Sequence, residues 1–117
     1  MTAKYVPDLG DLIKADFSFE QAGHEQDGWR PVIVLSRQEA NKTLGLAVVA
    51  TVTNQAKGYP FEVPLPPGLK IEGVVLADQI RTIDWVARKV RYFDKAPEGT
   101  LKMVLVKLGL LLGLPKP

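Results

Sequence analysis

Cysteine is absent, and histidine occurs once, as His24. The first absence removes disulfides and thiolate metal sites together, and fits a reducing compartment. The second rules out a two-histidine metal site and a paired-imidazole acid/base system, so neither a tightly bound catalytic ion nor a cofactor is expected. Charge of one sign is scarce as well: 15 Lys and Arg stand against 13 Asp and Glu, for a formal net charge of +2. Such a balance permits a nucleic-acid partner without demanding one. Long apolar runs are also missing. The N-terminal MTAKYVPDLGD has no hydrophobic stretch of the secretory kind. The most apolar segment, LKMVLVKLGLLLGL, is shorter than a bilayer span and carries Lys102 and Lys107, so no membrane role is expected. No repeat, low-complexity run or Ser/Gly-rich linker divides the 117 residues, and a single domain over 1–117 is expected. Walker, HExxH, GxSxG and CxxC signatures do not occur.

What is present is a series of short strand patterns followed by one helical one. DLIKADF alternates, with Ile13, Ala15 and Phe17 on one face and Leu12, Lys14 and Asp16 on the other. RPVIVLS and GLAVVATVT are near-continuous valine-rich runs, the pattern of strands covered on both sides. FEVPL contains Pro64, which points to a sheet edge. GVVLADQIRTID and ARKVRYFD complete the set, and SRQEANKT reads as one or two helical turns with Ser36 as N-cap. Leu101, Val104, Leu105, Leu108, Leu111 and Leu112 recur at helical spacing after Pro97 and Glu98, which suit a first turn. The chain therefore reads as mainly β with a C-terminal α-helix, a small barrel or half-open roll. The helix is expected to close the open end, or to lend part of its stripe to a dimer.

Few residues invite chemistry. Pro31 biases Arg30 toward extended geometry where the polar loop from Ser18 to Gly28 becomes a strand. Arg30 is then either a surface arginine at a strand start or a fixed fork of donors for a phosphate. Glu25, Gln26 and Asp27 belong to the same loop, which is either solvated or functional. Trp29 is a core plug or a platform for a base. Thr53 ends a strand, where its hydroxyl could meet a phosphate oxygen or a neighbouring backbone group. Gly58 and Pro60 bracket Tyr59 in a turn that directs Lys57 to solvent. Arg81, Arg88, Lys89, Arg91 and Lys95, near Trp85, Tyr92 and Phe93, form a charged solvent face or a nucleic-acid surface.

Four separated stretches, YVPDLGDLIKADF, EQDGWRPVIVLS, TNQAKGYPFEV and GVVLADQIRTIDW, resemble the MazF/PemK (Kid) toxin family in order and spacing, from about Tyr5 to Trp85. The resemblance implies an SH3-like barrel that forms a homodimer and acts in the bacterial cytoplasm. It also implies cleavage of single-stranded mRNA without a metal, leaving a 2′,3′-cyclic phosphate and a 5′-hydroxyl. A cognate MazE-like antitoxin is implied too, with promoter DNA bound only by the toxin–antitoxin complex. By the same resemblance Arg30 and Thr53 are catalytic, with Glu25 a third member of variable role. Phe17, Trp29, Lys57, Asp78 and Gln79 fall at substrate-facing positions. Two positions depart from the pattern: Trp29 stands where a near member has histidine, and Leu76 stands where some members place a second catalytic arginine. A rival from the same fold family is a CcdB-like gyrase poison, which binds a protein and cuts nothing. The GWRP and KGYP motifs count against it.

Overall fold

The computed structural model describes residues 4–18 and 28–115. Among them the chain runs through β1 (Asp11–Asp16), β2 (Trp29–Val34), α1 (Gln38–Leu44), β3 (Leu46–Thr53), β4 (Glu62–Pro64), β5 (Val74–Asp84), β6 (Arg91–Lys95) and α2 (Glu98–Leu112). The strands form one sheet in the order β4-β5-β3-β2-β1-β6. Every neighbouring pair is antiparallel. The sheet curls into a half-barrel, the half-open form of the roll expected from the strand pattern.

Alternation along β1 sorts side chains into two cores, one on each face of the sheet. Ile13, Ala15 and Phe17 pack with Val32, Val34, Val49 and Ile83. Leu12 packs on the opposite side with Ile33, Ala50, Val75 and Val104. The unbroken apolar runs of β2 and β3 are explained by this double coverage, and each fully buried Val, Leu or Ile contributes about 1.5–3 kcal/mol. Pro64 lies on the edge strand β4, as its missing amide requires.

Three local expectations change. The strand read as ARKVRYFD begins only at Arg91, because Trp85 to Lys89 form a turn in which Lys89 takes a positive φ of 52°. Ser36 does not cap α1; Arg37 occupies that position without a side-chain bond. The Ser36 hydroxyl instead donates to Asn41 Oδ1 at 2.6 Å and accepts the Val48 amide at 2.8 Å. This ties α1 to β3 through the fully buried Asn41. Pro97 is the N-cap of α2, one place earlier than expected. Only part of the α2 stripe turns inward. Val104 and Leu108 are buried and Leu101 packs against the core, whereas Leu105, Leu111 and Leu112 stay exposed together with Leu110. A helix packed against β4 and β5 meets the sheet along one narrow line, so a wide apolar stripe is left partly outside.

Candidate active site

Val32 pairs with Thr51 across β2 and β3. Two residues back along β2 is Arg30, and two residues on along β3 is Thr53. In an antiparallel pair these steps stay in register, and alternation puts both residues on the Val32 face. Arg30 is exposed and Thr53 half-buried. The Thr53 hydroxyl accepts the Gln55 amide at 3.1 Å, the common role for a threonine at a strand end, and keeps its own proton for donation.

The root of the preceding loop is tightly closed. The Phe17 amide donates to Gly28 O at 2.9 Å, and a Cβ on Gly28 would sit 2.3 Å from Ser18 Cα. Only glycine fits that approach. Glu25 lies outside the described residues, with the rest of 19–27.

Beside Thr53 opens a cleft of about 480 Å³. Thr51 and Thr53 line it from β3, and Leu76, Asp78 and Gln79 from β5. Gln55, Lys57 and Tyr59 come from the β3–β4 connection, and Glu62 from the start of β4. The β5 residues reach it through an irregularity in the ladder. Val52 pairs with Val75 and Ala50 with Ile80, so Leu76 through Gln79 lie across from Thr51 alone. Extra residues on one strand break pairing and re-aim side chains, and such breaks gather next to active sites.

The β3–β4 connection is held by side chains. Tyr59 Oη donates to Asp78 Oδ1 at 2.7 Å. That bond to a carboxylate, together with desolvation, pushes the phenol up to about 12. The Glu62 carboxylate accepts two amides, Lys57 N at 2.6 Å and Gly58 N at 2.9 Å. Gly73 supports Thr53 from behind: it has a φ of +120°, and a Cβ there would lie 2.3 Å from the Thr53 carbonyl oxygen.

Thus Thr53, Lys57, Asp78 and Gln79 meet in one cleft, with Arg30 beside Thr53 on the neighbouring strand. Phe17 and Trp29 are not among the residues that line the cleft. Phe17 is 6% exposed, and the Arg81 and Arg88 guanidinium carbons lie 4.9 and 4.4 Å from its ring centre. It is a core ring under two cations rather than an open surface. Trp29 pairs with Asp16 and so shares the face of Asp16, opposite to its neighbour Arg30. Its half-buried indole carries Arg91 at 4.7 Å. The basic residues read as one set also divide. Arg81 and Arg88 serve Phe17, Arg91 serves Trp29, and Lys95 bonds Asp11 Oδ1 at 3.0 Å.

Tyr59 and Glu62 are the cleft residues that motif reading left as a plain hairpin turn. Glu62 lies five residues after Lys57 in KGYPFE, a spacing at which a carboxylate can fold back onto turn amides, and that was the available signal.

A curled antiparallel half-barrel with one C-terminal helix and a polar cleft between the end of β3 and the first half of β5 is the architecture of a small toxin fold. Residues 8–112 match the PemK-like, MazF-like toxin family of type II toxin–antitoxin systems, and the chain belongs to that family. It is 42% identical over 113 residues to the endoribonuclease toxin MazF of Escherichia coli (strain K12), covering 97% of this chain and 100% of that one. MazF of Deinococcus radiodurans superposes with a TM-score of 0.84 at 50% identity, covering 95% of this chain and 100% of the other. In a MazE–MazF crystal structure from the same organism the TM-score is 0.86 at 44% identity, with 96% and 100% covered.

Proposed function

We propose that this chain is an endoribonuclease toxin that cuts single-stranded RNA at the Thr53 cleft. The observation that carries the proposal is the shared face of Arg30 and Thr53 on adjacent strands, with Thr53 lining a cleft that also holds Asp78 and Gln79. The 2′-oxygen of one nucleotide attacks the adjacent phosphorus and loses its proton. The bond from phosphorus to the 5′-oxygen breaks, and that oxygen takes up a proton. The products are a 2′,3′-cyclic phosphate and a 5′-hydroxyl, and no metal is required. Charge accumulates on the non-bridging oxygens at the pentacoordinate stage, where Arg30 neutralises it and the Thr53 hydroxyl holds one oxygen in line. Glu25 joins them as an auxiliary member of the site. Lys57, Asp78 and Gln79 contact the RNA chain and its bases. Incubating labelled single-stranded RNA with the wild type and with Arg30→Ala tests this: cleavage by the first and little by the second is expected, and equal cleavage by a folded Arg30→Ala protein would overturn it.

The active species is a homodimer in the bacterial cytoplasm, and no described helix is long and apolar enough to cross a membrane. Leu105, Leu110, Leu111 and Leu112 leave an apolar strip on α2 that a second copy would cover. A MazE-like antitoxin is the cognate inhibitor, as the family and the MazE-bound relative support. Promoter DNA is bound only by the toxin–antitoxin complex.

A further inference from the structure

Among the described residues, Lys107 is the α2 side chain seen to bond the backbone between the cleft residue Tyr59 and β4. Its stem is half-buried, and its ammonium bonds Pro60 O and, at 3.4 Å, Glu62 O. Pro60 directly follows the cleft residue Tyr59, and Glu62 is itself a cleft residue. Tyr59, next to Pro60, donates to Asp78, while the Glu62 carboxylate holds the amides of Lys57 and Gly58. β4 has only three residues, Glu62 to Pro64, and among the described residues the chain just before it meets the sheet through the Ala77 amide on Phe61 O. A short edge strand fixes its preceding turn weakly. An ammonium shared between two carbonyls is a charge-assisted clamp at that weak point.

We propose that Lys107 is a positioning residue for substrate binding: it clamps the 57–60 turn from α2 and so sets where Lys57 and the Tyr59–Asp78 pair meet the RNA. The inference rests on the reading of the cleft as the RNA site. Lys107 touches no reacting atom, so its loss weakens binding of substrate rather than the bond-breaking step. The effect is carried by the turn, whose amides at Lys57 and Gly58 report its order in the free protein.

The test compares wild type with Lys107→Met, which keeps an unbranched stem, Lys107→Arg, which restores a donor, and Lys102→Met, an exposed control on the same helix. Two readouts are needed: hydrogen exchange at the Lys57 and Gly58 amides by NMR without RNA, and steady-state cleavage of an RNA with one cut site. Lys107→Met is expected to speed exchange at both amides at least fivefold. It should raise KM at least fivefold with kcat within twofold. Lys107→Arg should recover most of both, and Lys102→Met should match wild type. Unchanged exchange in Lys107→Met overturns the clamp. Faster exchange with unchanged KM, or a fall confined to kcat, overturns the positioning role. A wild type that cuts no RNA, with exchange still accelerated in Lys107→Met, removes the cleavage reading and leaves the clamp standing.

Discussion

Tyr59 donates its phenolic proton to the Asp78 carboxylate across the cleft, joining the β3–β4 connection to the irregular stretch of β5. The pair fixes one oxygen of Asp78. Because both partners come from segments with broken ladder pairing, the hydrogen bond defines a wall that the backbone alone would leave loose.

The first prediction follows from the raised phenol. Tyr59 is held near 12 by the Asp78 hydrogen bond and by desolvation. A folded-state value above the unfolded one means the protonated form is favoured in the fold. The stability it contributes is complete below the unfolded value of about 10 and is lost as pH rises through about 12. Carbon-13 NMR of labelled tyrosines at pH about 11, with Tyr59 assigned by Tyr59→Phe, should show Tyr59 mostly protonated. In Asp78→Asn it should be largely ionised at that pH. No difference between the two proteins would remove the hydrogen bond from the account.

Arg30→Ala and Thr53→Ala should each slow single-turnover cleavage by about 100-fold or more, since removing one donor to a developing oxyanion costs about 2.7–4 kcal/mol. Glu25→Ala should be milder. Circular dichroism should show the Arg30 and Thr53 variants folded, because Arg30 is exposed and the Thr53 hydroxyl is seen in one local hydrogen bond among the described residues.

Cleavage should persist in excess EDTA. The sequence has no cysteine and one histidine, and the proposed reaction needs only a fixed cation and two proton transfers. Loss of activity on chelation, with recovery on adding magnesium or manganese, would require a different mechanism.

Trp29→Ala separates the two faces of β2. The indole shares the face of Asp16 and carries Arg91. Its removal should cost about 1–2 kcal/mol of stability by denaturant unfolding. Affinity for a short non-cleavable RNA should change less than twofold. A tenfold loss of affinity with unchanged stability would mean that bases stack on this face after all.

Gly73→Ala should destabilise the protein by more than about 1 kcal/mol, because φ of +120° is strained for alanine and its Cβ would press on the Thr53 carbonyl. Cleavage should fall further than stability explains, since the displaced residue is Thr53. The check is kcat/KM measured well below the melting temperature.

Much of the fold was legible because its cause is local. Alternation in β1, the apolar runs of β2 and β3, and Pro64 at the edge were all read correctly from residue order. Arg30, Thr53, Asp78 and Gln79 were singled out as motif members rather than from their chemistry; the structure gathers Thr53, Asp78 and Gln79 in one cleft, with Arg30 on the strand beside Thr53. What stayed hidden depends on contacts distant in sequence. The hydroxyl of Ser36 prefers Asn41 and Val48 to a helix amide. Four β5 residues across from one β3 residue cannot be counted without the pairing on both sides. The cover of Arg81 and Arg88 over the Phe17 ring joins residues more than sixty positions apart and has no local signal. Glu62 and Lys107 act on a turn several residues or a whole helix away.

The most direct test of the central claim is single-turnover cleavage of one RNA in two forms, differing only by a 2′-deoxy substitution at the nucleotide before the cut. The account predicts that the all-ribose strand is cut to a 2′,3′-cyclic phosphate and a 5′-hydroxyl, and that the substituted strand stays intact at that site. Cleavage of the substituted strand at a comparable rate, or products ending in a 5′-phosphate, would contradict it.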